Sequence, residues 1–211
     1  IRTPLSLIIG PLEYLMKTSS INNVYGEYLS IIEQNYKRLY ALVTQLLDFR
    51  KVDTGSYKLS YDCYRIKEII CKVSCIFELS ARQKKVTIDT SSIPEELSIV
   101  IDEEAFTKII SNLLTNAIKY SETYIRIRLY SEGERLLLSV CNDGLVIPVE
   151  MREEIFKPFI QYKTGTLRSV PGTGIGLALA RSLAELHEGT LCMEDSMENN
   201  CFLLSLPLKH E

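Results

Sequence analysis

Asn112-Leu113-Leu114-Thr115-Asn116-Ala117-Ile118-Lys119-Tyr120 is the stretch on which the reading of this 211-residue chain turns. With Phe106, Ile109 and Ile110 before it, Leu113 and Ala117 make one apolar face of a helix expected over 103–119, following Asp102. Asn112, Asn116 and Lys119 are spaced by four and three residues, so they form a second stripe along the edge of that face. A row of amides bordering a buried stripe suits the wall of a cleft better than open water. An ordinary amphipathic helix with a polar outer edge has the same spacing, so this segment alone leaves both readings open.

The flanking sequence alternates between helical and strand periods. Upstream, the pattern predicts a helix at 66–82 and strands at 85–89 and 97–101. Downstream, Ile125, Ile127 and Leu129, then Leu136, Leu138 and Val140, alternate on either side of Ser131-Glu132-Gly133-Glu134. That predicts a β-hairpin over 124–130 and 135–141. A polar stretch from Gln161 to Pro171 precedes a helix expected at 174–187, and strands at 190–194 and 201–206 follow.

The first quarter of the chain reads differently. Leu5, Ile8, Ile9, Leu12, Leu15 and Met16 form one helical stripe, in which Pro4 suits a first turn and Pro11 should kink the helix. After a polar loop at 18–23, Leu29, Ile32, Tyr36, Leu39, Val43 and Leu46 recur at alternating spacings of three and four. A hairpin of two such helices has too little bulk to bury both stripes. Two chains pairing into a four-helix bundle would solve this; a purely structural coiled-coil hairpin fits the periodicity as well. The heptad ends at Val52-Asp53-Thr54-Gly55-Ser56, which sets a boundary between a helical hairpin at 1–52 and an α/β domain at 57–211. The fold class is therefore α+β.

Composition narrows the partners. A formal net charge of −3 gives no basic footprint, so nucleic acid is not expected. No apolar run approaches the roughly 18–20 residues needed to span a bilayer, so this stretch is not expected to contact a membrane directly. Six cysteines lack metal-type spacing and are expected to be buried, reduced thiols.

Two further segments carry chemistry. Gly172-Thr173-Gly174-Ile175-Gly176-Leu177 is followed by a helical pattern but preceded by polar residues, which argues against a dinucleotide-binding turn needing a strand there. It also lacks the Gly-Lys-Ser/Thr ending of a Walker loop. What remains is a glycine hinge opening a helix, whose free N–H groups suit phosphate oxygens. Val140-Cys141-Asn142-Asp143-Gly144-Leu145-Val146-Ile147-Pro148 is a strand running into a turn.

Together, and in this order, these segments resemble the N, G1 and G2 boxes of sensor histidine kinases, and Ile155-Phe156-Lys157-Pro158-Phe159 resembles the F box that opens their ATP lid. The opening Ile1-Arg2-Thr3-Pro4-Leu5 resembles the segment that follows the family's phosphoacceptor, usually His-Glu-Ile/Leu-Arg-Thr-Pro-Leu. The resemblance covers essentially the whole chain, which is especially similar to the kinase core of hybrid sensors from gut bacteroidetes. It implies a dimeric four-helix bundle formed through residues 1–52, then the α/β sandwich shared with gyrase and heat-shock protein 90. It also implies binding of ATP and Mg²⁺, transfer of the γ-phosphoryl to a histidine just upstream of Ile1, and onward transfer to an aspartate of a response-regulator receiver. The intact protein would be anchored in the inner membrane with this part on the cytoplasmic side. This chain alone, without its acceptor, is not expected to autophosphorylate.

The resemblance also assigns roles. Asn116 would ligate Mg²⁺, Asn112 and Lys119 would lie beside the phosphates, and Tyr120 near the base. Asn142, Gly144 and Ile147 would line the adenine end. Lys163 and Arg168 of the lid, with Gly172, Thr173, Gly174, Ile175, Gly176 and Leu177, would surround the phosphates. Thr3 would orient water when the kinase runs in reverse as a phosphatase, or simply cap a helix.

Some positions depart from the family pattern. Asn142 replaces an aspartate that accepts a hydrogen bond from the adenine amine; an amide oxygen accepts it without charge assistance. Val146 replaces a glycine and, being β-branched, requires ordinary backbone there. Hydrolysing relatives carry a glutamate where this chain has Asn112, which cannot act as a general base near neutral pH. Asp143 should point away from Asn142. His187 is expected to be structural, as a cation near a helix C-terminus, and His210 a tail residue. The departures at Asn142 and Val146 also admit a degenerate relative acting as a dimeric, nucleotide-sensing scaffold.

Overall fold

In the computed structural model, which describes residues 23–161, 173–196 and 198–208, the heptad segment is one continuous helix, α1 (Asn23–Asp53). It runs through Val52 and Asp53, and the chain turns where the Gly55 amide donates to the Val52 carbonyl at 3.0 Å. Along the seam Ile32, Leu39 and Leu46 are exposed, while Leu29, Tyr36 and Val43 are half-buried. The preceding stripe from Leu5 to Met16 and the kink at Pro11 lie outside the described residues. The chain divides into two compact units, Ile1–Lys51 and Val52–Glu211.

The second unit is built around a five-stranded mixed sheet. Its elements are β1 (Asp62–Arg65), α2 (Ile66–Gln83), β2 (Thr87–Ser92), β3 (Ser98–Ile101), α3 (Glu103–Tyr120), β4 (Tyr124–Glu132), β5 (Arg135–Asn142), α4 (Gly176–Leu186), β6 (Thr190–Met193) and β7 (Asn200–Pro207). The order in the large sheet is β2-β4-β5-β7-β6, with β2 parallel to β4 and the other pairs antiparallel. A small sheet pairs β1 with β3. Two short 3₁₀ turns, Val149–Met151 and Glu154–Phe156, lie between β5 and α4.

Strand alternation decides which face is buried. Ile125, Ile127 and Leu129 of β4, Leu136, Leu138 and Val140 of β5, and Phe202, Leu204 and Leu206 of β7 are all buried. The helices contribute Ile66, Ile69, Ile70 and Val73 from α2, Phe106, Ile109, Ile110 and Leu113 from α3, and Leu179 and Leu183 from α4. Fully burying one such side chain stabilises by about 1.5–3 kcal/mol, so this shared core is the main source of stability. The alternate positions of β4, Arg126, Arg128 and Tyr130, belong to the other, more open face.

Helices α3 and α4 are tied end to end. The Asp102 carboxylate caps α3 by accepting from the Ala105 amide at 2.7 Å, and it also accepts from the Ser60 amide at 2.7 Å. The Asp102 amide in turn donates to Nε2 of His187, at the C-terminal end of α4, at 3.2 Å. His187 is fully buried, and its Nδ1 lies 2.8 Å from the Leu183 carbonyl. A ring nitrogen that accepts an N–H carries no proton, so His187 is structural but neutral, not the cation expected from its place at a helix end. Replacing His187 with alanine leaves a buried amide unpaired beside a cavity. It should cost about 3 kcal/mol of folding stability, read from urea unfolding.

The cysteines correct the expectation of buried, reduced thiols. Cys63, Cys71 and Cys75 are exposed and Cys192 is half-buried, whereas Cys141 and Cys201, opposed across β5 and β7, form a disulfide. Apolar neighbours misled because these residues sit on the outer sides of β1, α2 and the sheet. Among the described residues no helix is long and apolar enough to cross a membrane.

Candidate functional site

One wall of the site is the edge of α3. Asn112 is buried, and its Nδ2 donates to the Lys108 carbonyl at 2.9 Å. Its Oδ1 lies 2.9 Å from where a Cβ on Gly176 would stand. A side chain at 176 would therefore push the amide aside; glycine lets the first turn of α4 close against Asn112. Asn116, one turn further along, is half-buried on the same edge. Lys119 places its ammonium 4.7 Å from the centroid of the Tyr120 ring, and Tyr120 is exposed.

The second wall is the loop after β5. Asn142 is 2% exposed, yet its Nδ2 has no hydrogen-bond partner among the described residues. Gly144 packs directly on the end of α3: a Cβ there would stand 1.9 Å from the Tyr120 carbonyl oxygen and 2.9 Å from Nδ2 of Asn142. The loop is held by a residue that sequence reasoning missed. Asn200, at the start of β7 and opposite Asn142, donates through Nδ2 to the carbonyls of Gly144 (3.3 Å) and Leu145 (2.9 Å). Its Oδ1 accepts from the Ile147 amide at 2.9 Å. The only advance signal was an asparagine opening a strand. Val146 adopts ordinary backbone, since the described non-glycine residues with positive φ are Lys85, Phe159 and Glu188.

Asp143 is tied to the turn after α3. Its carboxylate accepts from the amides of Glu122, Thr123 and Tyr124 and from the Thr123 hydroxyl, fastening the turn between α3 and β4. Partial burial pushes its carboxyl up, but these hydrogen bonds outweigh it and hold the pKa below the ordinary value. A lowered folded-state pKa adds stability that is whole above about pH 5 and fades as the pH falls through about 4 toward the folded value. An Asp143→Asn variant should therefore be less stable at neutral pH and show a shallower acid limb in stability measured against pH.

The third wall is the start of α4 with the segment before the lid. The Phe159 amide donates to the Gly174 carbonyl at 2.8 Å, and the Thr173 hydroxyl accepts from the Ile175 amide at 3.1 Å. Arg181 of α4 donates to both carboxylate oxygens of Glu153, at 2.9 and 3.2 Å, and lies 4.1 Å from the Phe156 ring centroid. The Arg181 hydrogen bond, working against desolvation, holds the Glu153 carboxyl below its usual range. Ile175 offers the helix no side-chain cap, and Leu177 is half-buried in its first turn. Thr3, Lys163, Arg168 and Gly172 lie outside the described residues.

The residues present fit a nucleotide. A buried, unpaired Asn142 donor costs about 1–3 kcal/mol until something accepts from it. The neutral side-chain oxygen of Asn116 suits a hard cation that takes its remaining charge from phosphates. The first-turn amides of α4, which Ile175 leaves without a side-chain cap, suit an anion.

Residues 101–210 match the family described as histidine kinase-, DNA gyrase B- and HSP90-like ATPase, and residues 1–55 match the His kinase A (phospho-acceptor) domain. The chain is 35% identical over 213 residues to sensor histidine kinase TmoS of Ectopseudomonas mendocina; the match covers 99% of this chain and 22% of that protein. The chain thus spans about a fifth of that relative's length. Among solved structures it resembles full-length ShkA in complex with AMPPNP, with a TM-score of 0.82 at 23% identity over 98% of this chain and 43% of that one. It also resembles histidine kinase ThkA in complex with response regulator protein TrrA, with a TM-score of 0.69 at 24% identity over 98% and 58%. At these identities the two structures speak for the fold.

Proposed function

The chain belongs to the histidine kinase-, DNA gyrase B- and HSP90-like ATPase family, with a His kinase A segment at its front, and from that premise we propose that it is the ATP-using core of a two-component sensor kinase. It binds ATP with Mg²⁺ and serves the phosphorylation of a histidine preceding Ile1, from which the phosphoryl group passes to a receiver aspartate. The observation that carries this reading is the buried Asn112 amide set against the glycine-led start of α4.

Each wall then has a task. Asn116 holds the cation through its side-chain oxygen, and Asn112 and Lys119 orient the phosphates. The α4 amides with Thr173, Gly174, Ile175, Gly176 and Leu177 face the triphosphate, joined by Lys163, Arg168 and Gly172 of the lid. Asn142, Gly144 and Ile147 hold the base, with Tyr120 at its edge. When bound, Mg²⁺ offsets charge that builds on the phosphate oxygens. Asn112 cannot accept a proton, so water is left unactivated and the γ-phosphoryl is kept for imidazole. Thr3 serves the reverse, phosphatase reaction.

Exposed Ile32, Leu39 and Leu46 support pairing of two chains through residues 1–52, and the ThkA–TrrA complex supports a receiver domain as partner. We place this part on the cytoplasmic side of an inner membrane that the intact protein is anchored in. Labelled ATP tests the reading. This chain should bind nucleotide and take up no stable label, while the chain extended through the upstream histidine should form acid-labile phosphohistidine. Nucleotide binding without phosphohistidine in the extended chain would favour a nucleotide-sensing scaffold, the reading to which Asn142 and its unpaired Nδ2 point.

A further inference from the structure

On the open face of the sheet, opposite the helices, Cys141 and Cys201 form a cross-strand disulfide. The two residues are 9% and 8% exposed and border a cleft of about 520 Å³ that Tyr124, Arg126, Arg128 and Glu194 also line. The Glu194 carboxylate lies within 4.8 Å of the sulfurs, and its amide donates to the Cys201 carbonyl at 2.9 Å. Both cysteines thus stand at the wall of a cleft on the sheet's open face. Arg126, opposite Cys141 in the β4–β5 register, and the Glu194 carboxylate flank the bridge with opposite charges.

Position along the strands gives the bridge a consequence. Cys141 immediately precedes Asn142, and Cys201 immediately follows Asn200, the residue that holds the carbonyls of Gly144 and Leu145 and the Ile147 amide. The disulfide thus joins the two strands one residue from the pair of asparagines that forms the base end of the site.

We propose that Cys141–Cys201 is a reversible thiol–disulfide exchange site for a dithiol reductant, and that its state sets how firmly the loop 142–147 is held for nucleotide. A reductant thiolate attacks one sulfur, the S–S bond breaks, and a mixed disulfide forms. The reductant's second thiol then displaces that sulfur. In balance, two electrons and two protons pass to Cys141 and Cys201, which become thiols, and the reductant leaves as its own disulfide. Opening the bridge frees the ends of β5 and β7, so ordering of the loop must be supplied on binding.

The effect on affinity rests on the nucleotide reading of the site; the exchange and the loop's order do not. Three measurements separate them. Peptide mapping after thiol blocking should find Cys141 linked to Cys201, and dithiothreitol should open the link in folded protein. Amide hydrogen exchange across 142–147 should then quicken. Calorimetry with Mg²⁺ and a non-hydrolysable ATP analogue should show affinity falling roughly three- to tenfold on reduction. The C141S/C201S chain, and C141A/C201A should serine prove unstable, should match the reduced protein and ignore dithiothreitol. A bridge that never forms, that opens only in denaturant, or that leaves exchange at 142–147 unchanged would overturn the proposal. Quickened exchange with equal affinity in both states would overturn the coupling. Absence of nucleotide binding in both states, with exchange still redox-dependent, would count against the nucleotide reading and support the site.

Discussion

Asn116→Ala should weaken Mg²⁺-dependent nucleotide binding by on the order of 100-fold or more, because it removes the side-chain oxygen proposed to hold the cation. Asn116 is only half-buried, and alanine is the best helix former, so the fold should survive. That separates a binding defect from an unfolded chain. Calorimetry with and without Mg²⁺ reads the effect, with urea unfolding as the control. An Asn116→Ala chain that still bound nucleotide in a Mg²⁺-dependent way would remove the metal from this residue.

Gly144→Ala should be more damaging than any other single added methyl group described here. The new Cβ would stand 1.9 Å from the Tyr120 carbonyl oxygen, so either the end of α3 or the loop after β5 must move. The two nearest atoms, the Tyr120 carbonyl oxygen and carbon, are backbone. The cost should lie near the top of the overpacking range, about 3 kcal/mol, and should appear in unfolding as well as in nucleotide binding. Gly176→Ala tests the same idea more gently, because its close neighbour is the movable Asn112 amide at 2.9 Å. That variant should lose affinity while losing less stability. If Gly144→Ala proved as stable as the parent, the loop would have to sit away from α3.

Where periodicity was strong, the sequence predicted the elements well. The α3 pattern, the β4–β5 hairpin and the strands β6 and β7 occur within a few residues of expectation. Strand β1 was missed because Asp-Cys-Tyr-Arg carries no apolar alternation, and its partner β3 lies more than thirty residues away. Helix α1 ran on through Val52 and Asp53 because neither residue breaks a helix; Gly55 does. Asn112, Gly144 and Gly176 were singled out through motif and spacing, and the structure sets Asn112 against Gly176. Asn200 was not, since its role comes from a strand pairing that joins residues more than fifty positions apart. Nor was the bridge, since Cys141 and Cys201 are neighbours only through the β5–β7 register. The neutral state of His187 likewise depends on an amide supplied by a distant helix cap.

The clasp that Asn200 places on the loop after β5 gives the site a birth order. A chain still being synthesised and halted before residue 200 already carries the amides of α3 and the glycine-led start of α4. It lacks the Asn200 side chain that pins the backbone between Gly144 and Ile147. The loop is therefore fastened only when β7 slots between β5 and β6.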